Sequence, residues 1–111
     1  MLIDLDRTDE ARTFLTASEA SKHSAGIQQL LGHIEMIDGD PESACERFGS
    51  ARLLAPEDPA ILTDLASAQM AADRFGRALT NLDHLLADAD SAGRRDHQHL
   101  KAECLLALGR P

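Results

Sequence analysis

The 111-residue chain has no Trp and no Tyr, and three Phe are its only aromatic residues. A core must therefore be assembled from Leu, Ala, Ile and Met, which suits closely approaching helices. No apolar run comes near the roughly 18–20 residues that span a bilayer. The start, MLIDLDRTDEA, lacks a basic region followed by an apolar stretch and does not read as a signal peptide. Positive charge is also scarce: 11 Lys and Arg face 19 Asp and Glu, a net charge of −8. That balance disfavours non-specific binding to nucleic acid phosphates and favours a basic or apolar partner. Only two cysteines occur, Cys45 and Cys104, with no metal-like spacing. They read as reduced, buried, small hydrophobes inside helices, which fits a cytoplasmic chain. No glycine-rich phosphate loop is present.

What the chain does contain is order at helical spacing. Ile27, Leu30, Leu31, Ile34 and Ile37 recur at three and four, as on one face of an amphipathic helix over 25–38. Gly39-Asp40-Pro41 ends that helix and starts another. Gly39 supplies the left-handed residue beyond the end, Asp40 the cap, and Pro41 the first position. The next helix, 41–54, carries Ala44, Cys45, Phe48, Ala51 and Leu54 on one side. Asp58-Pro59 repeats the cap-and-proline device for a helix over 59–72. Asp73 then stands where Gly39 stood, before a helix over 75–87. The looser linker 88–93 precedes a helix over 94–108 with Leu100, Cys104, Leu105 and Leu108. At the other end, Asp9 and Glu10 suit the first turn of a helix over 9–20 capped by Thr8, with Leu15 facing the next pair.

Moving 34 residues along returns the same skeleton. Leu31-Gly32 becomes Leu65-Ala66, Met36 becomes Met70, Ala44 becomes Ala78, Phe48 becomes Leu82 and Ala51 becomes Leu85. A period of 34 built from helix, turn and helix resembles the tetratricopeptide repeat family. The aromatic residues common in the family's first helices are missing: Gln28 and Leu62, and Glu35 and Gln69, occupy those places. The resemblance implies an all-α fold of antiparallel helical hairpins stacked as a right-handed superhelical solenoid. It divides the single domain 1–111 into the second helix of a partial repeat (1–23), full repeats at 24–57 and 58–92, and a first helix at 93–111. The chain thus reads as a segment of a longer array, each unit leaving an apolar face that only a neighbour can bury.

In this family the first helices of successive repeats line a concave face that binds an extended peptide or a partner helix. By register that face carries Gln29, His33 and Met36, then Thr63, Ser67 and Met70, then His99, Glu103 and Leu106. Met36, Met70 and Leu106 form a soft apolar stripe, although both methionines also suit an ordinary core position. Asp64 and Asp96 stand nearby and add negative charge. None of the nine is basic or Asn, so the family's clamp for terminal carboxylates is not expected here. The expected partner is a protein or peptide, apolar with neutral or basic flanks, and not nucleic acid or membrane. No catalytic group, cofactor or metal is expected. His97 and His99 are two apart on a helix and point about 200° from each other, so they do not share an ion readily. Two other roles for such a module are a regulatory or recruiting segment of a larger enzyme and a small chaperone for an exported protein.

Overall fold

A computed structural model of the chain describes residues 9–14, 24–87 and 93–109. All regular structure among them is helical. Residues 9–14 belong to α1, followed by α2 (Ala25–Ile37), α3 (Pro41–Leu54), α4 (Pro59–Ala71), α5 (Phe75–Leu86) and α6 (Arg94–Ala107). The all-α expectation holds. Asp38, Ala72, Ala87 and Leu108, expected as last helical residues, act instead as C-caps. Thr8, Leu15 and the rest of the first expected helix lie outside the described residues.

Local chemistry explains these boundaries. Ser24 Oγ accepts the Ile27 N–H at 3.2 Å, and Asp58 Oδ1 accepts the Ala60 N–H at 2.9 Å. Asp40 accepts twice from Ser43, from its N–H at 3.2 Å and its hydroxyl at 2.7 Å. The contacts from the Ile27, Ala60 and Ser43 N–H groups satisfy donors that the first helical turn leaves unpaired. Pro41 and Pro59 lead α3 and α4, where a missing N–H costs nothing. α5 and α6 start at Arg74 and Gly93 without a side-chain cap.

The ends of α2 and α4 are built alike. Gly39 N–H donates to Met36 O at 3.1 Å and Asp40 N–H to Glu35 O at 2.9 Å; Asp73 N–H donates to Met70 O at 3.1 Å and Arg74 N–H to Gln69 O at 2.7 Å. This double reverse bond needs a left-handed residue, supplied by Gly39 at φ +77° and by Asp73 at φ +60°. Asp73 is the only non-glycine residue with positive φ among those described. The sequence position that replaces Gly39 thus keeps its conformation, at some steric cost.

Consecutive helices pack on one another from α2 through α6, and α4 also meets α6. Between them lies a core of Ala44, Phe48, Leu62, Leu65, Ala66, Ala68, Ala78, Leu82, Leu85 and Cys104. Its small members let the axes approach; its few large ones fill what remains. Gly32 marks the tightest point. A Cβ there would lie 2.5 Å from Phe48 Cε1, so the ring of Phe48 occupies the space of the missing side chain.

Two expectations about α2 and α3 need correction. The buried residues of α2 are Gln28, Leu31, Gly32 and Glu35, whereas Leu30 and Ile37 stay about half exposed. Burying Glu35 is possible because Arg12 of α1 donates from Nε to Glu35 Oε1 at 3.0 Å; a charge-assisted bond offsets lost hydration. The same guanidinium pairs with Asp38 and Asp9. On α3, Leu54 is exposed and Cys45 only half-buried, while Cys104 is fully buried as expected.

Candidate functional site

The residues singled out above lie on α2, α4 and α6, and Asp64 of α4 joins two of them. Its Oδ2 accepts from Gln29 Nε2 at 2.8 Å and lies 3.2 Å from His33 Nε2, both on α2. One carboxylate thus gathers two side chains from the preceding first helix. The His33 ring also meets the Phe48 ring edge-on, with centroids 5.2 Å apart. That contact ties the exposed imidazole to the core beneath it.

A second bridge joins α4 to α6. Thr63 Oγ1 donates to Pro59 O at 2.7 Å and lies 2.9 Å from His97 Nε2. The contact ties the His97 ring to α4 through Nε2. Nδ1 is buried without a partner among the described residues. His99, expected on this face, is exposed and sits 2.9 Å from Glu103 on its own helix. The two histidines thus occupy different environments, and the polar bridge to α4 belongs to His97.

The remaining residues divide by depth. Met36 and Met70 are half-buried and pack against the core cluster, as the alternative reading of them allowed. Ser67 is half-buried on α4. Leu106 is 76% exposed. The structure therefore brings together Gln29 and His33 through Asp64, and His99 with Glu103. Met36 and Met70 are partly covered by the core, whereas Leu106 is open to solvent.

Sequence reasoning underrated Asp64 and His97. Asp64 lies one residue past Thr63, the register mate of Gln29, so its place between α2 and α4 could have been read from the 34-residue offset. Nothing in the sequence signals the depth of His97.

Among the described residues, no group of three or more His, Cys, Asp or Glu side chains is placed to hold a metal ion. None of the described helices is long and apolar enough to cross a membrane. Burial removes water from the thiolate forms of Cys45 and Cys104 and pushes both thiols above their ordinary value.

Helical hairpins that pack in sequence, with the same corner recurring at 34 residues, define a helical-repeat protein. A tetratricopeptide repeat family model matches residues 35–104. That is more than half of the chain, and the chain belongs to this family. No curated protein and no solved structure matches it. The family's repeats are, in general, non-catalytic modules for protein–protein interaction.

Proposed function

We propose that the face of α2, α4 and α6 binds a peptide or helix of a partner protein. The residues of that face are Gln29, His33, Met36, Thr63, Ser67, Met70, His99, Glu103 and Leu106, with Asp64 at their centre. The partner is apolar with neutral or basic flanks. The observation that carries this reading is the Asp64 cluster. An acceptor shared by Gln29 and His33 joins two successive first helices at a spot where an extended partner could donate to the same carboxylate. Glu103 adds a second carboxylate on α6. Leu106 offers exposed apolar area at the far end. Complementary charge at such a surface sets orientation and partner choice more than affinity.

Affinity capture with mass spectrometry tests this, using Asp64→Lys with Leu106→Glu as the control variant. These substitutions are chosen because Met36 and Met70 pack on the core and would confound binding with folding. A stoichiometric partner captured by wild type and lost by a folded variant supports the face. A partner retained undiminished by the variant refutes it.

A further inference from the structure

In a chain of net charge −8, three of the eight described Lys and Arg side chains take an acidic partner. Arg12 pairs with Asp9, Glu35 and Asp38, Arg74 with Glu42, and Lys101 with Asp83. Arg52 of α3 and Arg77 of α5 form no ion pair among the described residues. Both are exposed, and both border one cleft of about 230 Å³ whose other walls are Gln69, Thr80 and Asn81. This cleft involves the second helices, α3 and α5, and shares no residue with the face proposed above.

The donors and acceptors of the cleft are unbalanced. Gln69 and Asn81 are 8% and 6% exposed, and Asn81 Nδ2 donates to Gln69 Oε1 at 2.8 Å. That bond uses the Gln69 carbonyl and leaves its amide N–H groups without a partner among the described residues. Thr80 donates its hydroxyl to Gly76 O at 3.1 Å. The cleft is therefore bordered by two arginines and an amide nitrogen, with the Asn81 carbonyl as its side-chain acceptor left over. Planar guanidinium donors in this density match the two oxygens of a carboxylate.

The fold holds its own precedent 34 residues earlier. The counterpart of Gln69 is Glu35, a buried carboxylate held by the Arg12 guanidinium at 3.0 Å. In that unit the chain provides both charges. Around Gln69 it provides the cations and a neutral amide where the acid would be. Glu46 is a competing acid, exposed and lining one adjoining cleft with Arg52 and another with Arg77, yet bonded to neither.

We propose that the cleft between α3 and α5, bounded by Arg52, Arg77 and Gln69, is a binding site for a carboxylate. A singly charged ligand is favoured over a doubly charged phosphate, because Glu46 and the acidic surface repel the second charge. The carboxylate comes either from an acidic peptide of a partner or from a free small acid.

The test is a titration at low ionic strength, following the side-chain N–H resonances of Arg52, Arg77 and Gln69 by nuclear magnetic resonance. The probes are sodium acetate, a terminally blocked Gly-Glu-Gly peptide and inorganic phosphate. Saturable shifts confined to these side chains are expected with acetate or the peptide. Tighter binding of the peptide assigns the site to a partner protein, and equal or tighter binding of acetate assigns it to a small acid. Arg52→Gln with Arg77→Gln should weaken binding tenfold or more, while Glu46→Gln should strengthen it severalfold. Circular dichroism checks that the double variant is folded, and Arg52→Lys, which keeps the charge but loses the fork, should weaken binding on its own. Shifts that never saturate, undiminished binding by the folded double variant, or phosphate binding at least as tight as acetate would overturn the proposal.

Discussion

Gly32→Ala sets two known effects against each other in α2. Replacing glycine by alanine inside a helix ordinarily stabilises by about 1 kcal/mol. At Gly32 the added Cβ would fall 2.5 Å from Phe48 Cε1 and 2.7 Å from Cδ1 and Cζ, closer than real Cβ atoms come to any neighbour. Phe48 is only 1% exposed, so its ring could yield only by displacing core neighbours. Overpacking of this kind costs about 1–3 kcal/mol, which cancels or outweighs the helical gain. The expected net loss is about 0–2 kcal/mol, with Tm falling by roughly 4–8 °C per kcal/mol for a domain near this size. Gly49→Ala in α3 is the control, since nothing lies within 4 Å of a Cβ there and it should stabilise by about 1 kcal/mol. Urea denaturation followed by far-ultraviolet circular dichroism measures both. Phe48→Leu should cost less in the Gly32→Ala background than in wild type, with a coupling on the order of 1 kcal/mol. A Gly32→Ala protein more stable than wild type, or zero coupling with Phe48→Leu, would refute the reasoning.

The corners offer a matched pair: Asp73→Gly should stabilise and Gly39→Ala destabilise, each by about 1 kcal/mol in the same denaturation assay, because both positions have positive φ. Acid should weaken the start of α3. Bonds from the Ser43 hydroxyl and N–H hold the Asp40 carboxyl below its ordinary value of 3.8. The stabilisation it gives is thus complete above that value and is lost as pH falls through the lower native one. Asp40→Asn, which keeps an acceptor but does not titrate, should flatten that part of a pH–stability profile. Iodoacetamide at pH 8 should modify Cys104 far more slowly in the native protein than in urea, and more slowly than half-buried Cys45, as peptide mapping would show.

Punctuation was the most legible part of the sequence. Gly39-Asp40-Pro41 and Asp58-Pro59 use residues whose effect on the backbone is local, so the helix boundaries they imply agree with those found. The left-handed state of Asp73 was legible for a different reason, the offset from Gly39. Burial within α2 was read less well. Leu30 and Ile37 satisfy helical spacing yet stay half exposed, while Glu35 is buried because Arg12, 23 residues away, neutralises it. No periodicity rule contains that pairing. The polar face was legible as a register but not as a network: which acid joins Gln29 to His33, and which histidine meets Thr63, depend on how neighbouring first helices are offset.

The order of packing also bears on how the molecule comes together. Helices meet their immediate neighbours in the chain, with α4 and α6 the furthest-separated pair to pack closely. Few contacts must then wait for distant segments to find each other, so loop-closure entropy is a small part of the folding barrier. Folding should be fast for the chain's length, and it can begin at whichever hairpin forms first and spread in both directions. Backbone amides should report the same arrangement in reverse. Exchange with solvent deuterium is expected to be slowest around Ala66 and Leu82, where neighbours lie on both sides, and faster by stages toward α2 and α6.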